Sequence, residues 1–204
     1  MKVVKHLVVL FVIALAVMSC KNDKKEEVKV EDAVVKTTTP EKVKKAKKEL
    51  TVEEKDQLNS VMSKLMITGE TKMFASALVS IELTDMLSKN KGPYTIFSPT
   101  NTAFDSLDIE KRREILNPKN KEKLSNLIKN HIIKGEVNSS ALLQKSKGND
   151  NSMKTLGGAT LTVTKQGSDI IIVDASGNKA KLGKSDITGS NGVVHVIDKV
   201  LSLN

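Results

Sequence analysis

The sequence carries a single cysteine, Cys20, in 204 residues. An internal disulfide is therefore excluded, and a thiolate-based structural zinc site has too few ligands. Aromatics are as scarce: four Phe, one Tyr and no Trp, 2% of the chain. None is interleaved with basic residues as a platform for stacked nucleic-acid bases requires. The longest apolar run of the N-terminus, Leu7 to Val17, has 11 residues, whereas a transmembrane helix needs about 20. Catalytic signatures are missing as well. There is no G-x-S-x-G and no carboxylate pair in a recognisable setting, and Gly157–Gly158 in "TLGGATL" lacks the spacing of a phosphate-binding loop. A hairpin turn explains that pair better. No enzyme activity, cofactor or metal is expected, and no internal repeat is evident.

What is present begins with "MKVVKHLVVLFVIALAVMSC". Two lysines, a short apolar run and a small residue ahead of a cysteine match a secretory signal. The end resembles a bacterial lipoprotein box, with Val17, Ser19 and then Cys20. On that resemblance, residues 1–19 are a signal peptide and Cys20 is the lipidated mature N-terminus. Each buried methylene of its acyl chains contributes about 0.8 kcal/mol, and more than one chain makes anchoring stable. "KNDKKEE" follows, resembling the Lys-plus-acidic signal that sends some lipoproteins to the cell surface. Residues 20–50 are rich in Lys, Glu, Thr and Val and too poor in apolar surface to fold, so a solvated tether is expected.

Lys and Arg number 33 against 24 Asp and Glu, a formal net charge of +9. Residues 61–204 hold 20 of the basic and 14 of the acidic ones. The densest basic stretch comprises Lys111, Arg112, Arg113, Lys119, Lys121, Lys123, Lys129 and Lys134. With no aromatics among them and an export signal ahead, it reads as a solvated helical face, and nucleic acid is not an expected partner.

From Thr51 onward the hydrophobic pattern is organised. Thr51 and Glu54 form a capping box ahead of Leu58, Val61, Met62, Leu65 and Met66 at helical spacing. Phe74, Ala77, Leu78 and Ile81 signal a second helix, and Thr84 a cap for "LTDML". Tyr94 to Ser98 reads as a strand stopped by Pro99, with Thr100 and Asn101 as turn and cap residues. Residues 109–116 and 121–131 read as helices. Beyond Gly135 the signals are mostly β: "ATLTVT", "GSDIII", "SGNKAKL" and finally "SNGVVHVIDKVL". Helices first and strands later make an α+β fold.

Two histidines fall on apolar faces. His131 follows Leu124, Leu127 and Ile128 at helical spacing, and His195 alternates with Val193 and Ile197 along a strand. Burying an imidazole without partners costs roughly 1–3 kcal/mol, so each should be hydrogen-bonded, with Thr100, Asn101 or the backbone of "SPTN" as candidates. A hydrolase using either histidine with Asp186 or Asp198 requires an open pocket beside the ring. Structural roles are expected for both.

Three segments in this order resemble a fasciclin-like (FAS1) domain. "GPYTIFSPTNTAF" (92–104) is similar to the family's first block, with Ser98 where Ala is usual. "LIKNHIIKGEV" (127–137) is similar to its central segment, with Asn130 in place of the family's Tyr before His131. "SNGVVHVIDKVL" (190–201) is similar to its second block. The resemblance assigns residues 51–204 to one domain, an α+β wedge or sandwich of β-strands with packed helices. It makes Thr100, Asn101, His131, Asn191, Gly192, His195 and Asp198 motif residues that serve the fold, with His195 in a polar seam beside the Thr100–Asn101 turn. It implies a non-catalytic adhesion or interaction module, anchored to the membrane through its lipid only, in the cell envelope as an outer-membrane lipoprotein, surface-exposed or periplasmic. Its partner would be an envelope or extracellular protein or a glycan. The alternative is an accessory subunit docked permanently on another envelope protein. Animal members are linked to integrins through an Asn-Lys-Asp-Ile-like segment; "GKSDIT" here keeps only Asp186 and Ile187, and that role is not carried over.

Overall fold

Two four-stranded sheets share one hydrophobic interior in the computed structural model, which describes residues 49–201. The expected signal peptide, Cys20 and the tether as far as residue 48 lie outside the described residues.

The helical layer comes first: α1 (Val52–Leu58), α2 (Val61–Ile67), α3 (Lys72–Ser80) and α4 (Thr84–Lys89). The expected single helix from Thr51 is two. Ser60 breaks it by taking extended backbone angles and accepting from the Ser63 amide, which caps α2 anew. Apolar spacing continues across the break, but Leu58 and Met66 are exposed while Val61, Met62 and Leu65 are buried. The capping box at Thr51 forms with both of its hydrogen bonds. Thr84 is the first residue of α4 rather than its cap.

Strand β1 (Tyr94–Pro99) leads into α5 (Asn101–Asp105), α6 (Ile109–Leu116) and α7 (Lys121–Lys129). Then follow β2 (Ile132–Lys134), α8 (Ser139–Lys145), β3 (Ser152–Lys154), β4 (Thr160–Gln166), β5 (Asp169–Val173), β6 (Lys179–Lys181), β7 (Ile187–Gly189) and β8 (Gly192–Ile197). Helix α8 is absent from the sequence reading, which expects only strands there. Asn138 caps it by accepting from the Ala141 amide, and Leu142 anchors it in the core.

The first sheet has the order β2-β1-β8-β7 and the second β3-β4-β5-β6. At the centre of the first, β1 and β8 run parallel from the pair Tyr94–Gly192 to the pair Pro99–Ile197. All six residues of each strand are buried, which accounts for their near-continuous apolar character. One core cluster joins α2, α3 and α7 to β1 around Phe74, Leu78 and Ile96. A second joins the two sheets around Phe97, Val163, Ile172 and Ile197. The architecture is the α+β, two-sheet arrangement expected of the wedge.

Candidate functional site

The β1–β8 seam brings the two sequence blocks side by side, and the motif residues gather around it. His195 is fully buried on β8. Its Nε2 lies 2.8 Å from the Val137 carbonyl, which can only accept, so Nε2 carries the proton. Its Nδ1 accepts from the Asp186 amide at 3.3 Å. His131, also fully buried, has the opposite tautomer. Its Nδ1–H donates to the Leu127 carbonyl at 2.8 Å, and its Nε2 accepts from the Leu201 amide at 3.0 Å. Each imidazole thus spends both nitrogens on backbone groups, and neither touches Thr100 or Asn101 as the sequence reading suggests. Those partners depend on where residues 137, 186 and 201 arrive in space, which no spacing near either histidine encodes.

Burial holds both rings neutral. It pushes the pKa of His131 down to about 4, although the Leu127 carbonyl and Asp174 oppose the shift. It also lowers that of His195 against the Val137 carbonyl and Asp186.

The Thr100–Asn101 turn does different work. Thr100 caps α5 by accepting from the Ala103 amide at 3.0 Å, while its own amide donates to Ile197 at the end of β8. Asn101 reaches the helical layer, accepting from the Met73 amide and donating to the Gly69 carbonyl, both at 3.0 Å. Asn191 is the busiest polar side chain. Its Oδ1 accepts from the Val61 amide at 2.9 Å, and its Nδ2 donates to the carbonyls of Leu87 and Asn90. It therefore ties the start of α2 to the end of α4, and its backbone carbonyl accepts from Tyr94 at the head of β1. Gly192 follows with φ +145°, where a Cβ would lie 2.0 Å from the Tyr94 carbonyl oxygen. Asp198 accepts from the Lys181 amide at 2.7 Å and fixes β6 to the chain leaving β8.

One cluster joins Asp186 and His195 to a serine of α8. Asp186, at φ 56°, accepts from the amide and the hydroxyl of Ser139 in the first turn of α8. Its carboxylate stands 4.0 Å from Nδ1 of His195. Burial raises its pKa, but the two Ser139 hydrogen bonds and His195 together bring it below the usual carboxylate value. Ser139, Asp186 and His195 are triad residue types, yet the serine bonds the aspartate directly. Neither imidazole nitrogen is available to take its proton. This arrangement braces α8 and performs no acyl transfer. Of the Asp-Ile pair of "GKSDIT", Asp186 is committed to that brace and Ile187 packs from β7 against the first core cluster.

A groove of about 420 Å³ lies between α3 and the α6–α7 turn, floored by Met73, Ala77, Leu116 and Leu124. Neither histidine lines it. Half of the basic run around α6 and α7 is paired: Arg112 with Asp105, Arg113 with Glu110, Lys121 with Glu82 and Lys123 with Glu114. Among the described residues no group of His, Cys, Asp and Glu could hold a metal ion.

Comparison with known proteins agrees with this geometry. The family model of the Fasciclin domain matches residues 69–203. Protein sll1483 of Synechocystis is 28% identical over 145 residues, 70% of this chain and 74% of its own. Transforming growth factor-beta-induced protein ig-h3 of Sus scrofa is 33% identical over 71% of this chain, but that match spans only 19% of ig-h3. Among solved structures, a FAS1 domain pair from the insect cell adhesion molecule Fasciclin I superposes with a TM-score of 0.63 at 15% identity. That superposition covers 70% of this chain and 50% of the pair. The solved pair comes from a cell adhesion molecule; in the present chain both ring nitrogens of each histidine are committed to backbone groups. A family model matched over most of its length, on the fold and the seam described above, places this chain in the fasciclin domain family.

Proposed function

We propose that this chain is a lipid-anchored adhesion module of the bacterial envelope, held off its membrane by a charged tether and binding an external protein or glycan. The observation that carries the reading is how the seam uses its chemistry-bearing residues. His131, His195, Asn101, Asn191 and Asp186 are all engaged in holding elements together, so what the domain offers a partner is outward surface. The lipid anchor is supported by the sequence alone, through the lone Cys20 at the end of an apolar run.

Protease shaving of intact cells, with a C-terminal tag and with Cys20→Ala beside the wild type, tests it. The reading expects digestion of the wild type from outside and release of the variant from the membrane fraction. Retention of the variant in membranes would refute the lipid anchor.

A second reading, permanent docking on another envelope protein, is favoured by the groove between α3 and the α6–α7 turn. Leu116 there is 39% exposed. Protection of the wild type until the outer membrane is opened, with co-purification of one partner in fixed ratio, would put this reading ahead.

A further inference from the structure

The second sheet carries exposed lysines of its own, away from the basic run on α6 and α7. After Glu136 the sequence has eight Lys and five Asp, with no Glu and no Arg. Each of those aspartates is committed within the domain. Asp150 pairs with Lys145, Asp169 with Lys181, Asp186 accepts from Ser139, Asp198 from the Lys181 amide, and Asp174 from the Ser176 and Asn178 amides. Lys154 on β3 and Lys179 on β6 have no ion-pair partner among the described residues.

Strand register places both lysines on one face. Met153, Leu161, Val163, Ile172 and Ala180 point inward to the core, so alternate positions point out. One outward row runs Ser152, Thr162, Val173, Lys179 across all four strands, and the row beside it holds Lys154 and Thr160. Thr164 adds a further hydroxyl opposite Ile171. Lys154 and Lys179 stand on the two edge strands, three strand spacings or about 14 Å apart. The one carboxylate among the outward positions of these strands, Asp169, is neutralised by Lys181 at 2.8 Å.

We propose that this outer face binds an acidic polysaccharide, a glycan chain bearing carboxylate or sulfate groups; the inference rests on the adhesion reading above and names its partner class. A repeating polyanion meets cations at both edges at once, which a single small anion cannot do. The hydroxyls between them give and accept hydrogen bonds from sugar hydroxyls. Lysine ammonium groups are mobile point charges that follow such a chain without demanding a fixed anion geometry. No aromatic stands on the face, so nucleobases find no stacking surface and attraction rests on charge. Binding is therefore weak per site, sensitive to salt and strengthened when many anchored copies engage one polymer.

Chromatography of the purified full chain on immobilised heparin, and calorimetry with polygalacturonate, test the proposal. The wild type is expected to be retained at low salt and to bind the polyuronate. The double variant Lys154→Gln/Lys179→Gln should elute at lower salt and bind about tenfold more weakly, each lost contact removing part of 1.4 kcal/mol. Lys119→Gln/Lys129→Gln, which removes the same charge from the region of α7, should elute as the wild type does. Failure of the wild type to bind either polymer overturns the proposal, as does equal elution of the two double variants. Binding to phosphatidylglycerol vesicles without binding to the glycans overturns it in favour of a lipid surface. The adhesion reading stands or falls separately: if the chain is shaved from intact cells yet ignores both polymers, only the glycan assignment is lost.

Discussion

Phe97 on β1 stacks on His195 of β8, with 5.6 Å between ring centroids and 25° between planes. The two are direct partners in the parallel register. Phe74 meets His131 at the same 5.6 Å separation but tilted by 59°. Each histidine is thus enclosed by an aromatic face and two backbone hydrogen bonds, an environment that tolerates only the neutral ring.

That environment makes stability depend on pH. The pKa of His131 is about 4 in the folded domain and about 6.5 in an unfolded chain. Between those values the unfolded chain binds more protons, so stability is full above about pH 6.5 and falls as pH drops toward 4. The loss from His131 amounts to about 3 kcal/mol, and His195 adds to it in the same direction. Thermal unfolding from pH 8 to pH 4.5 should show the melting temperature falling in this window. A melting temperature that stays flat across it would contradict the buried neutral histidines.

Ser98 offers a gain instead. Its hydroxyl is fully buried and has no hydrogen-bond partner among the described residues. Leaving such a group unpaired costs about 1–3 kcal/mol. Ser98→Ala should raise stability by about 1 kcal/mol in denaturant titration. A destabilised variant would mean that the hydroxyl has an internal partner.

Asn191→Ala should be among the costliest substitutions of a polar residue. It orphans the Val61 amide and the carbonyls of Leu87 and Asn90 together. A loss of about 3 kcal/mol is expected. Hydrogen exchange should quicken first in α2 and α4, the elements it ties; unchanged protection there would deny it that role.

Asp186→Ala removes both acceptors of Ser139 and frees the first turn of α8. Limited proteolysis should then cut near residues 136–140, with a stability loss of about 1–2 kcal/mol. If Asp186 served an external partner alone, binding would fall while proteolysis stayed unchanged.

Local chemistry reached the sequence clearly where the chain interacts with itself at short range. The capping box at Thr51, the strand at Tyr94, the cap at Thr100 and the buried faces of both histidines follow from periodicity and capping rules. The break at Ser60 was masked because apolar spacing runs through it, and only the exposure of Leu58 and Met66 reveals it. Helix α8 carried a readable signal, Asn138 ahead of Ala141 and Leu142, which the surrounding β pattern overshadowed. Apart from the Leu127 carbonyl, one helical turn before His131, the partners of the histidines and of Asp186 were illegible, since they are 9 to 70 residues distant and set by tertiary approach. The basic run on α6 and α7 is a solvent-facing stretch, as its lack of aromatics and apolar partners implied, and Asp105, Glu82 and Glu114 pair with part of it.

The parallel pairing of β1 with β8 also governs when the domain can come into being. Tyr94 waits for Gly192, and His131 waits for Leu201, so the interior stays open until residues 192–201 arrive. Contacts this distant along the chain close slowly and late. In a polypeptide emerging from a ribosome, or threading through a membrane pore, the domain therefore remains loose and locks shut only after β8 is through. Loss of β8 would leave not a slightly weakened domain but an unsealed one.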